Sequence, residues 1–362
     1  MICPNCSTPN EDTAKYCKSC GFDLKNQKTN FFKKHKTLLI IVGIVVFVIF
    51  YSTVGLINSF NSFFKEVAKT SERESIVSGS GENTIALINI DGVIVESDPD
   101  GGFGSLTSSF TSARKIKKIL REIQDDKSVK ALVLRVNSPG GSAAAAEEIF
   151  QEINSFKKES KLPVVSYFSD TAASGGYYVA MSSDKIVANP NTITGSIGVI
   201  ISYLNFKDLA ERFGVKNIVF KSGPYKDLVS EFREPTDEES IIIQSIVDET
   251  YKNFVNRVAA GRKITEDKAT LLSDGRIFSS IQAKEAGLID QIGYFEDSVS
   301  LAKNLSGISD AKVVEFGKQT FLQTFLEGVS FKFNLGVTPG LDKLIDPLFS
   351  HAGINVLYLY NP

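Results

Sequence analysis

Ser169-Asp-Thr-Ala-Ala-Ser-Gly-Gly-Tyr-Tyr-Val-Ala-Met181, followed after two serines by Asp184-Lys-Ile-Val-Ala-Asn-Pro-Asn-Thr-Ile-Thr-Gly-Ser-Ile-Gly198, is the stretch on which the fold turns. Ser174 lies between two alanines and two glycines, after the apolar run 164–168 and before a helix-compatible segment at 177–181. A strand that passes through a small-residue turn into a helix exposes the side chain at the turn and lets another backbone approach it. The helix N-terminus there favours developing negative charge. Ser174 is thus placed as a nucleophile would be. Small residues serve close packing equally well, so the flanking sequence has to decide.

Outward from this turn, strand and helix patterns alternate. Residues 84–90, 129–136 and 162–168 read as strands, and 111–124 and 143–156 as helices. Strands are also expected at 185–188, 199–204 and 215–220, with a short helix at 207–213. The rhythm implies an α/β fold with crossover connections and a largely parallel sheet. Beyond it, 237–261 reads as a long helix that Thr236 can cap, with shorter helices at 266–272 and 281–286. Asn137-Ser-Pro-Gly-Gly-Ser142 lies where the strand at 129–136 gives way to a helix. Its consecutive glycines, Gly140 and Gly141, can present backbone N–H groups to an oxyanion. Ends of neighbouring parallel strands converge on one sheet edge, which would bring this turn beside Ser174.

The N-terminal part has a different character. All four cysteines of the 362 residues fall in the first 20, as Cys3-Pro-Asn-Cys6 and Cys17-Lys-Ser-Cys20. Four thiolates in two close pairs suit a tetrahedral structural zinc, so residues 1–24 are expected to form a zinc ribbon, with disulfides or a redox pair as the alternative. A basic linker, 25–36, precedes an uncharged apolar run at 37–57. Twenty-one helical residues extend roughly 31 Å, enough to cross a bilayer core of about 30 Å. Lys25, Lys28, Lys33, Lys34 and Lys36 before this segment place the N-terminus in the cytoplasm and the remainder outside. A second linker, 58–83, a catalytic domain, 84–305, and an extension, 306–362, complete the expected organisation. A net charge of −2 gives no general attraction to nucleic acid.

A catalytic serine needs a base, and the histidines His35 and His351 lie at the membrane flank and near the C-terminus. Lysine is the remaining choice, and a lysine base near neutral pH needs its pKa lowered by about 3 units. Lys226, in Lys221-Ser-Gly-Pro-Tyr-Lys226, lies in a glycine/proline turn. Spacing alone does not choose among the lysines.

Five ordered motifs bear on that choice: Asn137-Ser-Pro-Gly-Gly141, Ala172-Ala-Ser-Gly-Gly-Tyr177, Thr194-Gly-Ser-Ile-Gly198, Lys221-Ser-Gly-Pro-Tyr-Lys226 and Asp274-Gly-Arg-Ile-Phe278. With them the chain resembles the signal peptide peptidase A family of membrane-bound serine proteases from about Thr84 to Leu305. The resemblance implies the Clp protease/crotonase fold, Ser174 as nucleophile, Lys226 as general base, Ser196 as support of the dyad and Gly140–Gly141 as the oxyanion hole. It also implies hydrolysis of remnant signal peptides and other hydrophobic peptides, with no cofactor for catalysis. Short members of the family form homo-octamers in which one protomer supplies the serine and its neighbour the lysine. Two departures are visible: Ser279-Ser280 stands where Thr-Gly is expected, and the run Ser230-Glu-Phe-Arg233 lacks a proline. The competing readings are an inactive membrane scaffold acting through its ribbon and, more weakly, acyl-CoA chemistry.

Overall fold

Residues 131–136, Ala-Leu-Val-Leu-Arg-Val, are apolar on both faces apart from Arg135, the pattern of a strand covered on both sides. They form the middle of a central strand in the computed structural model, which describes residues 1–25, 75–97, 109–317 and 357–359. The expected membrane span at 37–57 lies outside the described residues. Among the described residues no helix is long and apolar enough to cross a membrane. The chain divides into two compact units, Met1–Arg73 and Glu74–Pro362.

The larger unit is a mixed, mainly parallel sheet with helices on both faces. Its strands are β1 (Ser75–Gly79), β2 (Thr84–Val95), β3 (Phe110–Ser112), β4 (Val129–Ser142), β5 (Val164–Ala173), β6 (Lys185–Ala188), β7 (Ile193–Gly195), β8 (Ile277–Ser279), β9 (Gln291–Ile292), β10 (Lys312–Glu315) and β11 (Leu357–Leu359). The spatial order is β1-β10-β2-β4-β5-β6-β9, so the sheet extends on either side of residues 84–305. β10, β2, β4, β5, β6 and β9 run parallel, whereas β1 and β11 pair antiparallel with β10 and β4.

The period of two along the strands sorts side chains into two cores. Ala86, Ile88 and Ile90 of β2 and Leu132, Leu134 and Val136 of β4 enter the larger one. There they meet α1 (Ala113–Asp125), α2 (Ala143–Ser160) and α3 (Gly175–Ala180). Ser112 and Ser142 cap α1 and α2, accepting from Lys115 N and Ala145 N, and so stop the strands where the helices start. On the opposite face Ile85, Leu87, Ala131 and Val133 pack with Val299 and Ala302 of a helix at Phe295–Ser306.

The expected strands at 199–204 and 215–220 do not form. Leu204, Ile218 and Phe220 are exposed, the last by 96%. β-rich composition without a neighbouring strand to supply hydrogen bonds leaves the backbone irregular. Between these stretches the short helix α4 (Lys207–Arg212) buries none of its residues. The chain then enters α5 (Asp237–Arg262), which buries Phe254, Val255 and Val258 in its second half while Ile241 near its start is 69% exposed. α6 (Glu266–Leu271), α7 (Ser280–Ala286) and α8 (Phe295–Ser306) complete the helices among the described residues. The unexpected serine pair is accommodated here: Ser279 caps α7 in a capping box, and Ser280 Oγ donates to the carbonyl of Asn189.

The described part of the smaller unit consists of two similar turns. Cys3 N donates to Thr8 O and Cys17 N to Phe22 O, closing one knuckle each. Among its described residues Cys3, Cys17 and Leu24 form the buried cluster, with Ala14 against them.

Candidate active site

β5 ends on Ser174, whose φ of 52° and ψ of −117° lie outside the regions a residue with a side chain ordinarily adopts. Such strain persists where neighbours over-determine it. Ser174 N donates to Gly195 O at 2.8 Å, and its carbonyl accepts from Tyr178 N at 2.8 Å. The residue is 1% exposed, and among the described residues its Oγ has no hydrogen-bond partner. A buried hydroxyl left unpaired costs about 1–3 kcal/mol. Backbone strain and an orphaned hydroxyl at one residue, at the end of a core strand, are the marks of a group held for chemistry.

Two other strand ends frame it. β5 pairs with β4 up to Ser138↔Ala172, so the turn at 137–142 lies alongside. A Cβ on Gly176 would stand 2.9 Å from Ser138 O and 3.2 Å from Ser138 Cβ, so the nucleophile turn needs glycine there. Gly141 has φ of 155°, and a Cβ on it would lie 2.2 Å from Ile94 O. Gly140 N donates to Ser138 Oγ at 3.1 Å, and that hydroxyl donates to Gly92 O at 2.6 Å. The Gly140 N–H is therefore engaged within the turn. Gly175, Gly176 and Tyr177, at the start of α3, carry N–H groups that have no intrahelical acceptor, at the helix N-terminus expected from the sequence to favour developing negative charge.

Beyond Ser138 the edge of β4 that β5 has left pairs antiparallel with β11, in the register Leu359↔Gly140, Tyr358↔Gly141 and Leu357↔Ser142. An extended segment therefore lies on the strand edge beside the serine.

On the other side, β7 pairs with β5 as Ala173↔Gly195, so Ser196 follows on the strand end next to Ser174. Ser196 itself has φ of 49° and donates from its N–H to Arg276 O at 2.8 Å. Lys226 is not joined to them. It is exposed, in the irregular arm between α4 and α5, and no hydrogen bond links it to Ser174 Oγ.

Beneath α3 a polar cluster escaped sequence reasoning. Tyr178 Oη donates to Glu147 Oε2, and Arg257 Nη2 donates to Glu147 Oε1 at 2.7 Å. The Arg257 guanidinium also lies over the Phe150 ring, 4.6 Å from its centroid. Burial raises the Glu147 carboxyl, but hydrogen bonds from Gln151, Tyr178 and Arg257 outweigh it and hold the group below its ordinary range. Burial pushes the Tyr178 phenol well up, so it stays a donor at neutral pH.

In the smaller unit the four cysteine sulfurs lie within 4.8 Å of one another, with Cys3–Cys20 and Cys6–Cys17 each at 3.6 Å. Ligands at about 2.3 Å from a tetrahedral zinc stand roughly 3.8 Å apart, so the set fits zinc and not a pair of disulfides. Asn5 and Asn10 add side-chain amide donors to Cys20 and Cys17. Burial pushes the Cys17 thiol up, but N–H groups of Ser19 and Cys20 and the Asn10 amide bring it down to about 6, whereas burial pushes the Cys3 thiol up to about 11.

Comparison with known proteins adds two family matches: peptidase family S49 over residues 156–309, which include Ser174, Ser196 and Lys226, and a zinc-ribbon domain over residues 2–24. An Enterococcus faecium protein with the provisional name signal peptide peptidase SppA is 40% identical, over 68% of this chain and 71% of that one. The chloroplastic serine protease SPPA of Arabidopsis thaliana is 33% identical over 76% of this chain and 40% of its own. A ClpP1 variant from Listeria monocytogenes aligns with a TM-score of 0.38 and 17% identity, over 59% of this chain and 94% of that one.

Two outcomes are expected. Gly176→Ala pushes Ser138 and the nucleophile turn apart, costing about 1–3 kcal/mol in urea unfolding and most of the peptidase activity. Incubation with a strong chelator releases zinc and abolishes the dispersed NMR signals of residues 1–24, because their core is too small to fold alone.

Proposed function

The chain belongs to peptidase family S49 and is a serine peptidase, and from that premise we propose that it cleaves hydrophobic peptides through Ser174 and Lys226. The single observation that carries the reading is the strained, unpartnered Ser174 at the meeting of three strand ends. Neutral Lys226 takes the proton from Ser174 Oγ, and the serine attacks the peptide carbonyl. Backbone N–H groups of Gly141 and of the first turn of α3 receive the oxyanion. The amine leaves with the proton returned by Lys226, and a water activated by the same lysine releases the acyl group. Ser196, on the adjacent strand end, orients the lysine.

The substrate adds as an extended strand along Gly140–Ser142, the edge on which β11 already lies. Backbone pairing of this kind reads extended conformation more than side chains, which suits remnant signal peptides. The span at 37–57 anchors the enzyme in the membrane that holds them, with the zinc ribbon in the cytoplasm and the catalytic unit outside. Kinship of fold with Clp proteases and crotonases is part of this reading.

The lysine comes from a second copy of the chain, as the homo-octameric ring of the family would have it. Two features support this: Lys226 makes no hydrogen bond to Ser174 within one chain, and its arm exposes Phe213, Ile218 and Phe220. Apolar surface on that scale is normally covered by a partner. Full-length Ser174→Ala and Lys226→Ala are each expected to be inactive on a fluorogenic signal-peptide-like substrate, and an equimolar mixture reassembled from separated protomers regains part of the wild-type rate. Mixtures that stay inactive would place both groups in one protomer; an active Ser174→Ala would end the assignment.

The pairing of β11 with the same edge favours a second role, in which the C-terminal end competes with substrate. A chain ending at Ile345 is expected to show kcat/KM raised several-fold, mainly through KM. An unchanged KM with intact folding would remove that role.

A further inference from the structure

The arm that carries Lys226, between α4 and the start of α5, has almost no apolar core. A segment without a core has to be shaped by polar contacts that outweigh its conformational entropy. One cluster does this. Arg233 donates from Nε to Asp227 Oδ2 at 3.0 Å, from Nη2 to Asp227 Oδ1 at 2.8 Å, and from Nη2 to the Asp227 carbonyl at 3.1 Å. The same guanidinium donates from Nη1 to Glu239 Oε2 at 2.7 Å and from Nη2 to Glu239 Oε1. Lys221 Nζ closes the other side, donating to Asp227 Oδ1 at 2.6 Å and to Pro224 O at 2.9 Å.

The partners lie where placement matters. Asp227 is the residue after Lys226. Glu239 has a buried side chain, sits in the first turn of α5, and also accepts from Thr236 N at 2.9 Å in a capping box. One planar side chain thus ties the lysine turn to the end of a 26-residue helix. Between its two anchors Val229 has φ of 64°, a conformation that a β-branched residue takes when its surroundings impose it. Lys226 itself has no ion pair or side-chain hydrogen bond among the described residues, so the backbone turn is what sets its position.

We propose that Arg233, held between Asp227 and Glu239, is a positioning residue for peptide hydrolysis, fixing the place from which Lys226 is presented to the nucleophilic serine. The inference rests on Lys226 being the base, as read above. Misplacement of a catalytic group by about 1 Å costs on the order of 100-fold in rate, and a lysine on a loose arm would be misplaced by more. Lysine at 233 cannot replace the fork, because its point charge does not span two carboxylates in a plane.

The clamp does not titrate near neutral pH. Arg233 first, then Lys221, holds the Asp227 carboxyl well below its usual range, and Arg233 with Thr236 N–H brings Glu239 down to about 2. Groups depressed in the folded state contribute fully above their unfolded values of about 4 and lose that contribution as the pH falls through the folded ones. A change in the rate profile between roughly pH 6 and 9 therefore does not come from the clamp carboxylates.

The test compares full-length wild type, Arg233→Ala, Arg233→Lys and Lys226→Ala on one fluorogenic signal-peptide-like substrate across that pH range. Arg233→Ala is expected to lower kcat by 10- to 100-fold, leave KM within twofold and the unfolding midpoint and oligomer mass unchanged, and move the acidic limb of the kcat profile. Millimolar guanidinium chloride restores part of its kcat, whereas Arg233→Lys restores little. A wild-type kcat in Arg233→Ala beside an inactive Lys226→Ala overturns the clamp and leaves the base. Full activity in Lys226→Ala overturns the reading of the base beneath it. A loss in Arg233→Ala that comes with raised KM, lost assembly and no rescue by guanidinium shows a purely structural residue and also overturns the proposal.

Discussion

Ser174 sits with φ at 52° and ψ at −117°, a conformation its own side chain disfavours and only its neighbours can impose. Two strand ends and a helix start supply that constraint. β7 accepts the Ser174 N–H through Gly195, and α3 begins by donating to the Ser174 carbonyl. β4 packs a backbone carbonyl where Gly176 would otherwise carry a side chain. The glycines of this region answer to that crowding. Under α3 the Tyr178–Glu147–Arg257 cluster fixes the helix from below. Among the described residues the hydroxyl that results is buried and unpaired, beside the edge of β4 that β5 leaves and β11 takes up.

The other half of the chemistry is built on opposite terms. The nucleophile rests on a close-packed parallel sheet, covered on both faces by apolar side chains. The Lys226 arm has little such core and is organised by a guanidinium between two carboxylates. The arm leaves Phe213, Ile218 and Phe220 exposed, the surface that the proposed sharing of the site between chains would cover.

The long elements and the serine turn were legible because their signals are local. Apolar runs at 129–136 and 162–168 are buried strands, Thr236 caps α5 as its type predicts, and two Cys-x-x-Cys pairs bring four sulfurs together. The strands of two or three residues, β7, β8 and β9, carry too short a pattern to be read, although β7 is what holds Ser174 in place. At 199–204 and 215–220 the β-formers misled, since their apolar side chains face outward without a strand beside them. Glu147 and Arg257 stand 110 positions apart on ordinary helical stretches, so nothing in the linear order marks their meeting. Arg233 looked like one more charge in a polar run until the fold placed Asp227 and Glu239 on either side of it.

The central claim is that Ser174 is the nucleophile and Lys226 its base, and a covalent serine-directed fluorophosphonate tests it most directly. The full-length protein, treated with the probe and mapped by peptide mass spectrometry, is predicted to carry the adduct on Ser174, with labelling slowed at least 100-fold in Lys226→Ala. Labelling at another residue, or at Ser174 with an undiminished rate in Lys226→Ala, would contradict the account.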